Sequence, residues 1–371
     1  MTRQPASSEQ RLTPLAALPL QEGDARRPWL SLTPAEAQAW LAVRGAPAWQ
    51  AQSIRRWIVQ RRAESFAVMT DLPGPLRSAL ETEFRPLGTT EAVRQQASDG
   101  TCKLLVRLWD GESVECVLIP DRDRRTACIS TQVGCGMGCV FCASGIGGVT
   151  RNLEVGEILE QLLRLRNTLP ASERLTHVVV MGMGEPLANL DALMAALGEA
   201  CAPAGLGIGA RHVTISTVGL PAKIRRLAEV GRAHHLAVSL HAPNDDLRRQ
   251  IVPTSVGLTE ILAAADDFFA RTGRQVTFEY VLLREVNDRP EQARELAALL
   301  APRPALVNLI PFNEVAGLPY RRPTDEALAA FVEILRAAGL SVKVRKRKGA
   351  EIDAACGQLR RRAAEPAPVG T

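Results

Sequence analysis

The feature that most constrains the fold of this chain is a regular alternation of two patterns between about residues 125 and 345. Short apolar runs rich in β-branched residues have the length and composition of buried strands. The stretches between them, such as EVGEILEQLLRLR and TDEALAAFVEILRAAG, repeat apolar residues at helical spacing. Repeated βα units predict a parallel sheet covered by helices. The apolar runs are TACIS, THVVVMG, HVTIST, HLAVSLH, QVTFEYVLL, ALVNLIPF and SVKVR.

About six such units leave two architectures open, a doubly wound sheet and a full or partial barrel. A dinucleotide-binding sheet would carry a Gly-x-Gly-x-x-Gly fingerprint where its first helix begins, and the sequence has none there. The run GMGEPL at residues 182–187 lacks the third glycine. We therefore favour an α/β fold that forms an incomplete (β/α)6-type barrel, in which the chemistry sits at the C-terminal ends of the strands.

Outside the alternating region the patterns are different. Apolar residues at helical spacing follow Thr33-Pro34, a pair typical of an N-cap and a first helical residue. The runs KLLVRLW and SVECVLIP flank the turn signal Asp110-Gly111 and predict a β-hairpin. The predicted organisation is a flexible extension at 1–27, a small helical N-terminal domain at 28–87, a β-ribbon linker at 88–124, the barrel at 125–345 and a basic C-terminal tail at 346–371.

Composition narrows the functional classes. The 371 residues are 46% hydrophobic, which is enough for a full-sized core, and the formal net charge of +5 permits a nucleic-acid partner without requiring one. Only 4% of the residues are aromatic, which argues against a surface on which many bases stack. We find no apolar run of membrane-spanning length and no signal-peptide core, so the sequence predicts a cytoplasmic protein without a membrane partner.

Three of the eight cysteines form a C-x3-C-x2-C run directly after the first predicted barrel strand. Three thiolates on one tight loop can each bind one iron of a cubane cluster, which leaves the fourth iron open for a small molecule. The alternative is a structural zinc site completed by a fourth ligand such as His177 or His241. The three cysteines are Cys135, Cys139 and Cys142.

The cysteine spacing and the predicted barrel resemble the radical S-adenosylmethionine (SAM) superfamily. Further motifs make the resemblance more specific, because they resemble the RlmN/Cfr family of RNA adenine methyltransferases in the same order along the chain. They extend from Cys128 to Leu359, and the helical N-terminal domain also fits that family, as an RNA-binding accessory domain. The motifs are CISTQVGCGMGCVFC, TRNL, GMGEPL, STVGL, SLHAP, IPFN and EIDAACGQL.

The resemblance implies a radical SAM barrel with two cofactors. The three clustered cysteines would bind a [4Fe-4S] cluster, and its open iron would chelate the amino and carboxylate groups of SAM. The remaining SAM contacts would come from the C-terminal ends of successive strands, where Glu185 can pair with the α-ammonium group. Taken singly, these polar residues have ordinary structural roles in turns and strand ends. The implied SAM residues are Gly184, Glu185, Ser216, Ser239, Leu240, His241 and Asn313.

Two further cysteines and one carboxylate receive catalytic roles from the resemblance. Cys356 would carry a methyl group taken from one SAM, and a second SAM would supply the radical that activates this S-methyl group. Cys128 would resolve the RNA adduct by forming a transient disulfide with Cys356. Glu115 would accept the ring proton, although on its own it reads as an outward-facing charge on a β-ribbon. The other cysteines, Cys102, Cys116 and Cys201, read as small buried hydrophobic residues.

The implied substrates are RNAs. The family methylates an adenosine in the peptidyl-transferase centre of 23S rRNA, and its RlmN branch also methylates an adenosine beside the tRNA anticodon. Basic residues could hold phosphates, at 343–348 and at Arg55, Arg56, Arg61 and Arg62. The resemblance also implies a flavodoxin- or ferredoxin-type electron donor, and we expect a monomer.

Two alternatives to methylation at adenine C2 remain open. The same cysteines serve methylation at adenine C8, the Cfr activity, and a non-catalytic RNA-binding protein stabilised by a metal would share the cysteine run. One departure from the family pattern lies beside the expected site: the chain reads ASGIGGV after Cys142, with Val149 where we expect a phenylalanine. This change leaves the cysteines intact and bears on substrate preference.

Overall fold

The structure is a computed structural model that describes residues 26–231, 233–254 and 256–359. All but two residues of the predicted extension, and the end of the predicted basic tail, lie outside these residues. Within them, no helix has the length and apolar character needed to cross a membrane. The strands in chain order are β1 Arg27–Pro28, β2 Phe84–Arg85, β3 Thr90–Gln96, β4 Cys102–Arg107, β5 Ser113–Asp121, β6 Arg124–Cys128, β7 Gln132–Gly134, β8 Val149–Asn152, β9 His177–Val180, β10 Val213–Thr217, β11 His235–Ser239, β12 Val276–Leu282, β13 Ala305–Pro311 and β14 Ser341–Val344.

Ten α-helices accompany these strands in the described part of the chain. The first three belong to the N-terminal domain, and the rest alternate with the strands of the main sheet. The helices are α1 Pro34–Val43, α2 Trp49–Val59, α3 Gly74–Glu83, α4 Val155–Asn167, α5 Leu190–Cys201, α6 Pro221–Glu229, α7 Asp245–Ile251, α8 Leu258–Thr272, α9 Pro290–Leu300 and α10 Asp325–Ala337.

The main sheet has ten strands in the order β14-β13-β12-β11-β10-β9-β6-β5-β4-β3. Within this sheet the strands β14, β13, β12, β11, β10, β9 and β6 are parallel to one another, and each apolar run of the sequence forms one of them. Helices connect consecutive parallel strands, as the alternating pattern predicts. Strands β14 and β3 are the two edges and do not pair with each other. The prediction of an incomplete (β/α)6-type barrel is therefore confirmed.

An antiparallel ribbon extends the sheet beyond its first parallel strand. The predicted hairpin forms from β4 and β5 around Asp110-Gly111, and β3 adds a further strand that the sequence did not indicate. Strand β5 also pairs with β6. The predicted linker is therefore continuous with the barrel sheet, so its side chains are held rigidly beside the parallel strands.

The N-terminal domain is a small helical unit with its own aromatic core. Thr33 forms the predicted N-cap of α1 as part of a capping box with Glu36. Inside the domain, Trp29 makes edge-to-face contacts with Trp40, Phe66 and Phe84. Such pairs contribute about 0.5–1.5 kcal/mol each beyond the burial of their area.

Polar side chains of α4, the first barrel helix, hold the N-terminal region in place. Glu160 is buried and accepts hydrogen bonds from the backbone N–H groups of Gly88 and Thr89, both at 2.7 Å. Arg166 donates to the carbonyl groups of Ile58 and Val59 at the end of α2, where helical carbonyls lack partners within the helix. These contacts fix the helical domain against the barrel.

Candidate active site

A cavity opens at the C-terminal ends of the parallel strands, where a barrel fold predicts the chemistry. Most of the predicted site residues meet in its wall, although they come from segments far apart in the sequence. Leu240, Cys128 and Glu115 lie outside the wall. The predicted residues in the wall are Cys135, Cys139, Cys142, Gly184, Glu185, Ser216, Ser239, His241, Asn313 and Cys356.

The cysteine loop is closed by a two-stranded ribbon. Strand β7 leads into the loop and β8 leads out of it, and the two pair antiparallel. Gly134, at the end of β7, has φ +79°, and a Cβ there would stand 2.0 Å from the carbonyl oxygen of Gly148. Only glycine fits this close approach of two backbone segments. The loop therefore keeps a tight curvature that turns its three cysteines towards the cavity.

The three cysteine thiols lie close together and are largely enclosed. Burial and, to a smaller extent, the Cys142 sulfur together raise the pKa of Cys135 to about 11. Burial and the other two sulfurs also raise the pKa of Cys139, and burial raises that of Cys142. Three crowded thiols with raised pKa values suit a cluster, because bound iron replaces their protons and neutralises the charge that burial disfavours.

The two histidines considered as a fourth zinc ligand lie in different places. His177 is the first residue of β9, at the opposite end of the strand from the cysteine loop. His241 lines the cavity, and its ring meets Phe141 edge-to-face at 4.9 Å. Among the described residues, no three His, Cys, Asp or Glu side chains are arranged to hold a single metal ion. The fold therefore removes His177 from the zinc alternative.

Glu185 is a buried carboxylate in the turn that follows β9. Its two oxygens accept the backbone N–H groups of Leu187 at 3.0 Å and Val218 at 2.9 Å. Burial raises its pKa, and these two donors act in the opposite direction. The preceding residue, Gly184, has φ +101° and packs against Gln132, so this turn also requires glycine. The geometry fixes one carboxylate in the cavity wall with further lone pairs free to accept a hydrogen bond from an ammonium group.

The next two strands place hydroxyl groups side by side. The Ser216 and Ser239 Oγ atoms are 3.4 Å apart, near the ends of β10 and β11. Leu240 follows Ser239, but its side chain is fully buried and its N–H and carbonyl groups bond to Glu279 and Arg248. In the described structure, Leu240 therefore exposes no group to a ligand. Its contact with SAM remains a prediction.

His241 is held as a neutral ring. Its Nδ1 accepts the backbone N–H of Val281 at 3.0 Å, which leaves the other ring nitrogen to carry the proton. Burial lowers its pKa to about 3, and the nearby Arg248 guanidinium lowers it as well. A neutral donor in the cavity wall is suited to hydrogen bonding with a polar ligand.

The C-terminal segment folds back over the cavity and carries Cys356 into it. The Asn313 Nδ2 donates to the Cys356 carbonyl at 3.2 Å, and the backbone N–H of Ala143 donates to the Gly357 carbonyl at 2.8 Å. The Asn313 Oδ1 is buried and has no hydrogen-bond partner among the residues that the structure describes. An unsatisfied acceptor in a cavity wall is costly and is typical of a site that binds a polar ligand.

Cys128 ends β6 beneath the Cys356 segment. Burial raises the pKa of its thiol to about 12, and the Cys356 sulfur contributes to the rise. Arg345 is the charged group that acts in the opposite direction on Cys128, and its own pKa is raised chiefly by Cys356. The fold therefore brings both sulfurs near one guanidinium.

Glu115 is not the outward-facing charge that its position on a ribbon indicated. Its side chain is buried, and its Oε1 lies 3.0 Å from the Nζ of Lys103, which is buried too. Its backbone carbonyl accepts the hydroxyl hydrogen of Ser130, just after β6. The expectation that Glu115 is an outward-facing charge on the ribbon is therefore wrong.

Several residues of the site escaped the sequence analysis. Glu279 is buried in the cavity wall and accepts the Asn308 side-chain amide at 2.8 Å. As a lone acid in the apolar run QVTFEYVLL, it could have been noticed. Arg345 and Lys103 gave no such signal, since each is one of many basic residues at the ends or edges of strands.

Other basic residues and cysteines have structural roles. Arg62 donates to the carbonyls of Leu169, Pro170 and Glu173, and Arg55, whose side chain is 33% exposed, pairs with Glu199 at 2.8 Å, so these two arginines join the N-terminal domain to the barrel. Cys102 and Cys116 are buried as expected, whereas Cys201 is only half-buried.

Comparison with protein-family models gives two matches. The model of the radical SAM superfamily matches residues 129–297, which hold the cysteine loop and most of the parallel strands. The model of the ribosomal RNA large subunit methyltransferase N-terminal domain matches residues 29–85, the helical domain.

Similar proteins cover nearly the whole chain. A protein of Rhodopirellula baltica named "Probable dual-specificity RNA methyltransferase RlmN" is 53% identical, over 95% of this chain and 98% of its own length. One of the same name from Symbiobacterium thermophilum is 47% identical, over 91% and 92%. The crystal structure of a radical SAM methyltransferase from Sphaerobacter thermophilus superposes with a TM-score of 0.86 at 43% identity, over 90% of this chain and 99% of that one. The chain belongs to the RlmN family of radical SAM RNA methyltransferases.

Proposed function

We propose that this enzyme methylates C2 of one adenosine in the peptidyl-transferase centre of 23S rRNA and of an adenosine next to the tRNA anticodon, through a methyl-cysteine at Cys356. The observation that carries the proposal is the position of Cys356: a C-terminal segment more than two hundred residues from the cysteine loop places it in the same cavity as Cys135, Cys139 and Cys142. A cysteine that only filled the core would not need to face that cavity.

The cavity suits the two cofactors of the superfamily. Cys135, Cys139 and Cys142 would hold a [4Fe-4S] cluster, and Glu185 and Asn313 would contribute to the SAM site, where the buried Asn313 Oδ1 lacks a partner. When bound, the reduced cluster and SAM would supply a methyl group in one reaction and a hydrogen-abstracting radical in the next. Ser216, Ser239 and the neutral His241 would hold the polar edges of the ligand.

The chain's own groups would carry the methyl group. The Cys356 sulfur would take a methyl group from one SAM by displacement and lose its proton. After a hydrogen atom is removed from this methyl group, its carbon would bond to the adenine ring carbon. This route suits C2 because that carbon is not nucleophilic and a polar transfer would have no electron pair to accept the methyl group.

Two groups near Cys356 would complete the reaction. Glu115 would take the proton from the ring carbon, and the electron pair of that C–H bond would restore the aromatic ring as the adduct gives up its one unpaired electron to an acceptor, which the bound cluster would supply. The Cys128 thiolate would attack the Cys356 sulfur, so that a disulfide forms as the bond between sulfur and the transferred carbon breaks. The electron pair of that bond becomes the C–H bond of the new methyl group once the carbon takes up a proton. An external dithiol or reductase of the thioredoxin class would then reduce the disulfide.

RNA would approach Cys356 from a second side. A smaller cavity shares Cys356, Asn313 and Arg345 with the main one, and residues 346–348 add Lys, Arg and Lys to its wall. Cations beside a reactive group are suited to holding phosphates without reading base sequence. We also infer a cytoplasmic monomer that receives electrons from a flavodoxin- or ferredoxin-type donor.

Nucleoside mass spectrometry tests the proposed activity. Reconstituted enzyme, SAM and reductant are incubated anaerobically with a 23S rRNA fragment and, separately, with tRNA, and the digests are compared with 2-methyladenosine and 8-methyladenosine standards. We expect 2-methyladenosine from both RNAs and none with Cys356→Ala. An 8-methyl product would instead assign the Cfr regiochemistry, and the absence of any methylated adenosine would overturn the proposal.

A further inference from the structure

A buried ion pair lies at the junction between the antiparallel ribbon and the barrel. Strands β4 and β5 pair so that Leu105 stands opposite Glu115 and Lys103 opposite Val117. Lys103 and Glu115 are therefore diagonal neighbours on one face of the ribbon, within reach for long side chains. Their side chains are 4% and 5% exposed, and their charged atoms are 3.0 Å apart.

The same ammonium group also contacts the segment that carries Cys356. The Lys103 Nζ donates to the backbone carbonyl of Asp353 at 3.4 Å. Asp353 has φ +50°, a strained conformation for a residue with a side chain, and it lies three residues before Cys356. Lys103 thus touches both the candidate proton acceptor and the loop of the methyl-carrying cysteine.

A buried ion pair adds little to the free energy of unfolding, so stability alone does not explain it. Removing two charges from water costs several kcal/mol per ion, and apolar residues of similar volume often do as well or better. A carboxylate that must take a proton from one ring carbon has a different need, since its oxygens must be held at the position where they meet that proton. Lys103 holds the Glu115 carboxylate by its ammonium group and contacts the Asp353 carbonyl with the same group.

We propose that Lys103 is a positioning residue of the methyl transfer, which fixes the Glu115 carboxylate in one place and holds it in register with the Cys356 segment. This inference rests on the proposed function. When Glu115 takes the ring proton, the carboxyl becomes neutral, while Lys103 keeps its proton and its bond to the Asp353 carbonyl. Lys103 is thus neither the base nor a ligand of the substrate.

The test separates the two halves of the reaction in Lys103→Met and Lys103→Arg. Peptide mass spectrometry measures methylation of Cys356 by SAM without RNA, and single-turnover assays with RNA measure released 2-methyladenosine and protein cross-linked to RNA. We expect Lys103→Met to methylate Cys356 as the wild type does, to accumulate the cross-linked species, and to release product about 10- to 100-fold more slowly, within the range of acid–base effects. Lys103→Arg should restore release to within a few-fold.

Further variants keep the test decisive. Lys103→Met alone leaves a buried charge without its partner, so the neutral pair Lys103→Met with Glu115→Gln provides a folded comparison. This double variant should be no slower than Glu115→Gln alone, because Lys103 acts through Glu115. Lys223→Met on α6, a lysine that does not line the cavity wall, is the control and should behave as the wild type.

Three results would overturn the inference. They are wild-type product release by Lys103→Met, a failure of Lys103→Met to methylate Cys356, and a double variant markedly slower than Glu115→Gln. Failure of the proposed function would look different, because the wild-type enzyme itself would then give neither methyl-Cys356 nor methylated RNA.

Discussion

Gly184→Ala should damage both the fold and the SAM site, because the turn after β9 has no space for a side chain. Gly184 has φ +101°, and a Cβ there would lie 2.7 Å from the Gln132 Cβ and 2.8 Å from its backbone nitrogen. The backbone conformation costs a residue with a side chain about 1–3 kcal/mol, and forcing an atom into packed neighbours costs about 1–3 kcal/mol more. We therefore expect the free energy of unfolding to fall by about 2–6 kcal/mol.

Gly147→Ala is the matched control. Gly147 also has a positive φ, +88°, but among the described residues no atom beyond its chain neighbours would lie within 4 Å of a Cβ there. It should lose only the conformational part, about 1–3 kcal/mol. Urea unfolding followed by circular dichroism compares the two variants. Equilibrium dialysis of reconstituted protein should show SAM affinity reduced at least tenfold in Gly184→Ala alone, because Glu185 follows directly. Equal stability and equal SAM affinity in the two variants would refute this reasoning.

Three further predictions follow from the site. Glu185→Gln should weaken SAM binding and lower the free energy of unfolding by about 1–3 kcal/mol, because the glutamine NH2 group would face a backbone N–H that now donates to a carboxylate oxygen. Isothermal titration measures the SAM affinity, and urea unfolding measures the stability. Cys128→Ala should accumulate protein cross-linked to RNA through Cys356, visible on denaturing gels, and free methylated RNA at the normal rate would remove Cys128 from the mechanism. The lowered pKa of His241 means that its contribution to stability is complete above about pH 6.5 and is lost as the pH falls towards 3, at about 1.4 kcal/mol per pH unit. In His241→Gln, the free energy of unfolding measured in urea should therefore depend less steeply on pH between these two values. The same pH dependence in the variant and the wild type would contradict the neutral ring.

Much of the fold follows from local pattern. The parallel strands inside the sheet are largely buried and have the sequence of apolar runs, so these runs predict them. Strand β14, from the run SVKVR, is an edge strand and is mostly exposed. Strand β3, with the sequence TEAVRQQ, could not be found in this way, because it is an edge strand with mostly exposed polar residues and has no apolar alternation. The N-cap at Thr33 was predictable because its chemistry lies within four residues.

The residues of the site differ in the same way, because some of them could be predicted from local sequence and others could not. The cysteine loop carries its three cysteines and its glycines in one short run, so this loop could be recognised from the sequence alone. Lys103 could not be recognised, because its contact with Asp353 joins residues 250 positions apart and its contact with Glu115 depends on the register of β4 and β5. The buried position of Glu115 could not be predicted from its surroundings in the sequence, since nothing local shows that a charge on the ribbon is turned inwards.

The most direct test of the account is to follow the methyl group itself. The enzyme is first charged with deuteromethyl SAM in the absence of RNA, freed of small molecules, and then given RNA, reductant and an excess of unlabelled SAM for a single turnover. If Cys356 carries the methyl group, the first 2-methyladenosine formed must contain deuterium. An unlabelled product from fully charged enzyme would contradict the methyl-cysteine route and with it the role given to Cys356.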